Sequence, residues 1–163
     1  MKKIVFVSLL FSTLLISGNY SYSKTAVVLT LRDCQIQDKF PDPACTPGAV
    51  FPVIEEDICV KGYTRRVRYV TAKTKSLVYQ EYGITSHVKG EYEVDHFIPL
   101  ELGGSNDLKN LWPEPAEPRP GFHEKDKVEN YLHQQVCEGQ MTLKDAQKQI
   151  QTDWLAVYQQ IKK

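Results

Sequence analysis

An aspartate and a histidine stand side by side at Asp95-His96, inside the stretch EVDHFIPLELGGSNDLKNLWPEP (Glu93–Pro115), and Asn110 follows the histidine by fourteen residues. A carboxylate is a hard oxygen donor that suits small divalent cations. A neutral imidazole, with an ordinary pKa of about 6.5, suits the task of taking a proton at neutral pH. Alone, such a pair at a strand end is common, and a lone Asn in a loop more often stabilises a turn. A second feature upstream gives the pair weight. Residues 61–75, KGYTRRVRYVTAKTK, carry Lys61, Arg65, Arg66, Arg68, Lys73 and Lys75 with no acid among them. In a chain with 20 basic and 20 acidic residues, six cations without a counter-charge form a phosphate-facing patch. The plainer reading of that segment is a solvated surface strand.

These side chains need elements to hold them. Glu91 to Ile98 reads as a strand that Pro99 ends or diverts, because proline has no N–H to donate. Gly103-Gly104-Ser105-Asn106-Asp107 is turn-rich, and Leu108 to Trp112 reads as a returning strand. Neighbouring side chains of a regular strand point to opposite faces, so Asp95 and His96 reach one ligand only if the strand is distorted near Pro99. Glu93 shares the side of Asp95 and is a candidate outer-sphere partner. PEPAEPRPG then forms a stiff connector. Helix resumes near His123, with Val128, Leu132, Gln135 and Val136 on one stripe and Gly139 as the stop. A second helix starts at Thr142, where Asp145 occupies the capping-box position, and Leu143, Ala146, Ile150, Trp154, Val157 and Ile161 give its apolar face. Upstream, Val67, Tyr69 and Thr71 alternate with Arg66, Arg68 and Val70, which predicts a strand with one basic face. Lys75 to Tyr82 predicts a short helix ended by Gly83. Residues 24–60, punctuated by prolines, read as an irregular wrap.

The ends and the cysteines set the context. Lys2 and Lys3, the apolar run Ile4 to Ile16, and small residues at Ser21 and Ser23 read as a signal peptide over residues 1–23. Export follows as an expectation, periplasmic or secreted, with no membrane span once the signal is cleaved. Residues 24–163 then suit a single domain. Lys2 and Lys3 are two of the 20 basic residues, so that domain carries two more acids than bases. Nucleic-acid contact must therefore come from a local patch rather than from overall charge. Cys34, Cys45, Cys59 and Cys137 favour two disulfides in an exported chain. Cys34–Cys45 with Cys59–Cys137 is one of three pairings. A zinc site is disfavoured because no Cys-x-x-Cys occurs.

With these elements in view, Asp95-His96, the PLELGG loop, Asn110-Leu111 and the helix that follows resemble an HNH endonuclease of the ββα-metal type. The likeness extends, among exported bacterial proteins of this kind, to CTPGAV (Cys45–Val50), ICVKGYTRRVR (Ile58–Arg68), NLWPEP (Asn110–Pro115), KDKVEN (Lys125–Asn130), VCEG (Val136–Gly139) and AQKQIQTDW (Ala146–Trp154). It implies an α+β fold with a ββα-metal core over about residues 91–138. An N-terminal strand and loop segment, a short helix and a C-terminal helix would surround that core, stapled by disulfides. It also implies low-specificity, metal-dependent hydrolysis of phosphodiester bonds in DNA, with RNA a second candidate substrate, leaving a 5′-phosphate and a 3′-hydroxyl. His96 would be the general base, Asp95 a ligand of Mg²⁺ (Mn²⁺ as an alternative, Zn²⁺ less suited), and Asn110 would hold the loop or orient His96. The helix would complete the metal site through His123, with Asn130 in reserve. Arg65, Arg66, Arg68 and Lys125 would meet phosphate. His87 and His133 match no motif position. A nucleic-acid-binding module without catalysis, for example in DNA uptake, is the competing reading.

Overall fold

A computed structural model describes residues 32–162; the predicted signal segment lies outside them. The chain is mixed α+β. In order it forms α1 (Glu55–Ile58), α2 (Tyr63–Val67), α3 (Ala72–Glu81), β1 (Tyr92–His96), β2 (Leu111–Pro115), α4 (Phe122–Cys137) and α5 (Leu143–Ile161). Two disulfides, Cys34–Cys45 and Cys59–Cys137, realise one of the three pairings open to the four cysteines. The first holds the irregular wrap near α3, where Arg32 also binds Glu81 through both carboxylate oxygens at 3.0 and 2.5 Å. The second ties the segment after α1 to the last residue of α4. Among the described residues no helix is long and apolar enough to cross a membrane.

The two long helices follow their apolar stripes. Val128, Leu132 and Val136 of α4 are buried against Leu143, Ala146, Ile150, Trp154 and Val157 of α5. Thr142 caps α5, its hydroxyl oxygen accepting the Asp145 N–H at 3.1 Å while the Asp145 carboxylate accepts the Thr142 hydroxyl at 2.7 Å. Extended backbone at Asp153 interrupts this helix (φ −165°), and the Asp153 carboxylate restarts it by accepting the Ala156 N–H at 3.0 Å.

β1 and β2 pair antiparallel, with Asp95 opposite Trp112 and Glu93 opposite Glu114. The second strand starts later than predicted. Leu108–Asn110 coils into a single 3₁₀ turn, its start capped by the Asp107 side chain, which accepts the Lys109 N–H at 2.8 Å. The strand therefore takes up Pro113 and Pro115. A two-stranded sheet consists of edges, so prolines fit where a central strand would refuse them.

Residues 66–71 do not form the predicted strand. Gly62, with φ +80°, starts α2, which satisfies its backbone bonds locally through Val67. Arg68 to Val70 then run extended to Thr71, whose hydroxyl oxygen accepts the Thr74 N–H at 3.1 Å and begins α3. No strand lies beside this connector among the described residues. The Tyr69 N–H is taken by a side chain, that of Asn106, and the Tyr69 ring is 75% exposed. Alternation over so few residues carries little weight against a helix that closes its own hydrogen bonds.

The buried residues form two clusters. One gathers α4, α5, Ile58, Tyr63, Ile98 and Leu102; the other gathers the Cys34–Cys45 disulfide, Val78, Tyr82, Val94, Phe97, Leu111 and Trp112. β1 and the residues after it feed both, and Asp95-His96 falls at the seam. The loop that follows must fold tightly back on that seam. A Cβ on Gly104 would fall onto the Ile98 carbonyl and stand 2.8 Å from Asn110 Nδ2. Gly104→Ala is thus expected to cost about 3 kcal/mol or more, because backbone must move to admit it. An unfolding free energy from denaturant titration within about 1 kcal/mol of the parent would contradict this packing.

Candidate active and metal-binding site

The alternation of β1 is regular: Val94 and His96 point into the protein, while Glu93 is exposed and Asp95 partly so. His96 is 1% exposed. Its Nε2 lies 3.1 Å from Asn106 Oδ1. Its Nδ1 has no hydrogen-bond partner among the described residues and lies 3.9 Å from Asp95 Oδ1. The side chains leave opposite faces of the strand, their nearest ring nitrogen and carboxylate oxygen 3.9 Å apart, and the chain turns directly after His96.

Asn110 makes that turn. Fully buried, it accepts the Ile98 N–H at 2.9 Å and donates to the Ile98 and Ser105 carbonyls, each at 2.9 Å. Of its two expected roles it performs the first: it spends its amide on the loop backbone and makes no hydrogen bond to His96.

α4 approaches Asp95 from the other side. Asp126 and Glu129, about one turn apart, offer oxygens that lie with an oxygen of Asp95 all within 4.8 Å of one another. His123 is outside this group. It sits exposed on the first turn of α4, its ring 4.3 Å from that of Phe122. Asn130 is also exposed and folds back onto its own helix, donating to the Asp126 carbonyl at 2.7 Å. Two carboxylates thus stand where a His or an Asn was expected.

Lys125 requires a correction. Expected to meet phosphate, its side chain is 0% exposed, and its three ammonium N–H bonds are all spent inside the protein, which leaves none for a phosphate. Its Nζ donates to Asp95 Oδ2 at 3.1 Å, to the His96 carbonyl at 3.0 Å and to Glu129 Oε1 at 2.5 Å, with Glu114 Oε2 at 3.3 Å. Three carboxylates therefore share one buried cation. Burial would raise the Asp95 carboxyl, but the Lys125 ammonium and the neighbouring His96 hold it well below the usual carboxylate range. Burial wins at the other two: Glu114 is pushed well above its ordinary value, and Glu129 up to about 8. The Lys125 ammonium, although burial opposes its charge, is held well above the usual lysine range by Asp95, Glu114 and Glu129.

Glu129 consequently links stability to pH. Below its ordinary 4.5 the folded and unfolded chains both hold its proton; between there and about 8 only the folded chain keeps it. Stability falls as pH rises through that window, by up to about 1.4 kcal/mol per pH unit for one proton. Asp95 acts in the opposite sense, stabilising above its ordinary 3.8 and losing that contribution in acid. In urea titrations across pH 5 to 8, Glu129→Gln is expected to flatten the decline; an unchanged slope would show that Glu129 does not take up the proton.

Arg65, Arg66 and Arg68 are exposed and form no salt bridge among the described residues. Burial raises the Glu93 carboxyl, Asp95 and Asp126 add to that, and Lys75 and Arg68 pull against it. Arg68 acts on Asp126 in the same way. The cationic segment thus borders the acidic cluster. No family model, curated protein or solved structure matches the chain.

Asp126, Glu129, Glu114 and Asn106 were not legible as site residues. For α4 a signal existed: Lys125 precedes Val128 by three residues and Leu132 by seven, which puts it on the buried stripe, with Glu129 one turn on. Glu114 and Asn106 gave none, since every residue of β2 before Pro115 is buried and the Asn106 contacts are long-range.

Proposed function

We propose that the protein is an exported, divalent-metal-dependent endonuclease of the HNH type that hydrolyses phosphodiester bonds of DNA, with RNA as a second substrate to compare, and with low sequence preference. The observation that carries the reading is the meeting of His96 and Asp95 with the α4 carboxylates Asp126 and Glu129 beside an unpaired cationic segment. The order strand, loop, strand, helix over Tyr92–Cys137 agrees with a ββα-metal core. Export rests on the leader-like residues 1–23 and agrees with the two disulfides.

The donor set fits the metal. Asp95 and Asp126 supply hard carboxylate oxygens, and Glu129 would add a third on giving up its proton to the incoming ion; such donors suit Mg²⁺ or Mn²⁺ better than Zn²⁺. Such an ion supplies stabilisation of the charge developing on the phosphate and the leaving oxygen. The chain does the rest. Arg65, Arg66 and Arg68 hold the nucleic-acid backbone, a contact that carries little sequence information. Lys125 keeps Asp95 ionised. Asn110 fixes the loop so that His96 stays at the seam. His96 takes the proton of the attacking water; the water oxygen bonds to phosphorus, the bond to the 3′ oxygen breaks, that oxygen takes a proton from solvent, and the products are a 5′-phosphate and a 3′-hydroxyl.

The test is nicking of supercoiled plasmid across a metal panel. Activity with Mg²⁺ or Mn²⁺ that EDTA abolishes is expected. Asp126→Asn and Glu129→Gln should raise the metal concentration needed, while His123→Ala should not. DNA retention that salt weakens, without nicking in any metal, would replace this reading with a binding module.

A further inference from the structure

Asn106 ties the base to the cationic connector through one amide. Its Nδ2 donates to the Val67 carbonyl at 2.8 Å, and its Oδ1 accepts the Tyr69 N–H at 3.1 Å. A carbonyl can only accept and a backbone N–H can only donate, so these two contacts fix which end of the amide is oxygen. The same Oδ1 lies 3.1 Å from His96 Nε2. An amide oxygen donates nothing, so the bond requires the imidazole hydrogen on Nε2. In a neutral ring the lone pair is then on Nδ1, the nitrogen without a partner among the described residues and 3.9 Å from Asp95 Oδ1. We infer that Asn106 is a positioning residue that sets His96 in its Nε2–H tautomer, so that Nδ1 is the proton acceptor facing the acidic cluster. The inference rests on the reading of His96 as the base. It adds that the connector bearing Arg68 and the base are held by one side chain.

The experiment reads the tautomer directly, by ¹⁵N NMR of the histidine-labelled, disulfide-bonded protein at alkaline pH, alongside plasmid nicking. In the parent, the His96 hydrogen is expected on Nε2 and the lone pair on Nδ1. Asn106→Ala should shift hydrogen toward Nδ1 and lower kcat by roughly 10- to 100-fold. Asn106→Asp keeps an acceptor for both Nε2–H and the Tyr69 N–H while losing the donor to Val67. It should retain the Nε2–H tautomer and turn over within about tenfold of the parent. An Asn106 that only staples the connector gives another pattern: the tautomer is the same in all three proteins, and Asn106→Asp is as impaired as Asn106→Ala. That pattern, or a parent with hydrogen on Nδ1, overturns the inference. Should Asn106→Ala fail to fold, Asn106→Asp decides: Nε2–H with near-parental turnover supports it, and loss of Nε2–H refutes it. A parent that nicks nothing removes the endonuclease reading, while the tautomer is still read.

Discussion

Lys125→Met is expected to cost about 3–5 kcal/mol of stability at neutral pH. Methionine replaces the apolar stem of the lysine and removes the one ammonium that Asp95, Glu114 and Glu129 share at 3.1, 3.3 and 2.5 Å. The His96 carbonyl loses its donor as well. Asp95, the acid that the ammonium holds ionised, must then either stay charged without its cation or take a proton, and both are costly, while Glu114 and Glu129, which burial already pushes up, lose their cationic neighbour. In a domain whose whole stability is about 5–15 kcal/mol, the loss approaches unfolding. The sign of the pH response separates this cause from simple loss of packing. As the medium is acidified the orphaned Asp95 carboxylate protonates and the deficit should shrink, whereas a packing defect would persist. Adding Glu114→Gln should recover part of the loss by removing one of the three acids. Denaturant midpoints at pH 5 and pH 7 read all three outcomes, and a cost below about 1 kcal/mol at pH 7 would show that Lys125 is not the counter-charge of the cluster.

What the sequence disclosed followed the range of the forces involved. α4 and α5 were legible because helix periodicity repeats over several turns, and Thr142 with Asp145 marked a start that local hydrogen bonds fixed. β1 and the Gly103–Asp107 turn were legible from alternation and turn residues. The strand expected at residues 66–71 was not there, because a few alternating positions cannot outweigh a helix that satisfies its own backbone. Lys125 was misplaced for a different reason. Charge argued for solvent, but its stripe position argued for the interior, and the three acids that reward its burial come from β1, β2 and the next turn of α4. The resemblance points to His123 and Asn130 because its motif ends in His or Asn, and Asp126 and Glu129 lie outside that motif. The Asn106 bridge spans 39 residues to Val67. No local pattern encodes a contact at that range.

On the endonuclease proposal, His96→Ala is expected to lower nicking by roughly 10²- to 10⁴-fold, the usual contribution of a positioned proton acceptor. The substitution isolates chemistry from binding. Arg65, Arg66 and Arg68 lie in α2 and the connector after it and are untouched, so DNA retention and its salt dependence should match the parent. The carboxylates of Asp95, Asp126 and Glu129 also remain, so excess Mg²⁺ or Mn²⁺ should not restore activity. Asp95→Asn sets the contrast. It weakens the ion's ligand set and removes a partner of Lys125, so excess metal should recover part of its loss, and its stability should fall as well. Full activity in His96→Ala would remove the histidine from the reaction, whatever else the site does. A loss of DNA retention equal to the loss of nicking would instead mean that His96 holds the Arg68 connector through Asn106 and contributes to binding rather than to proton transfer.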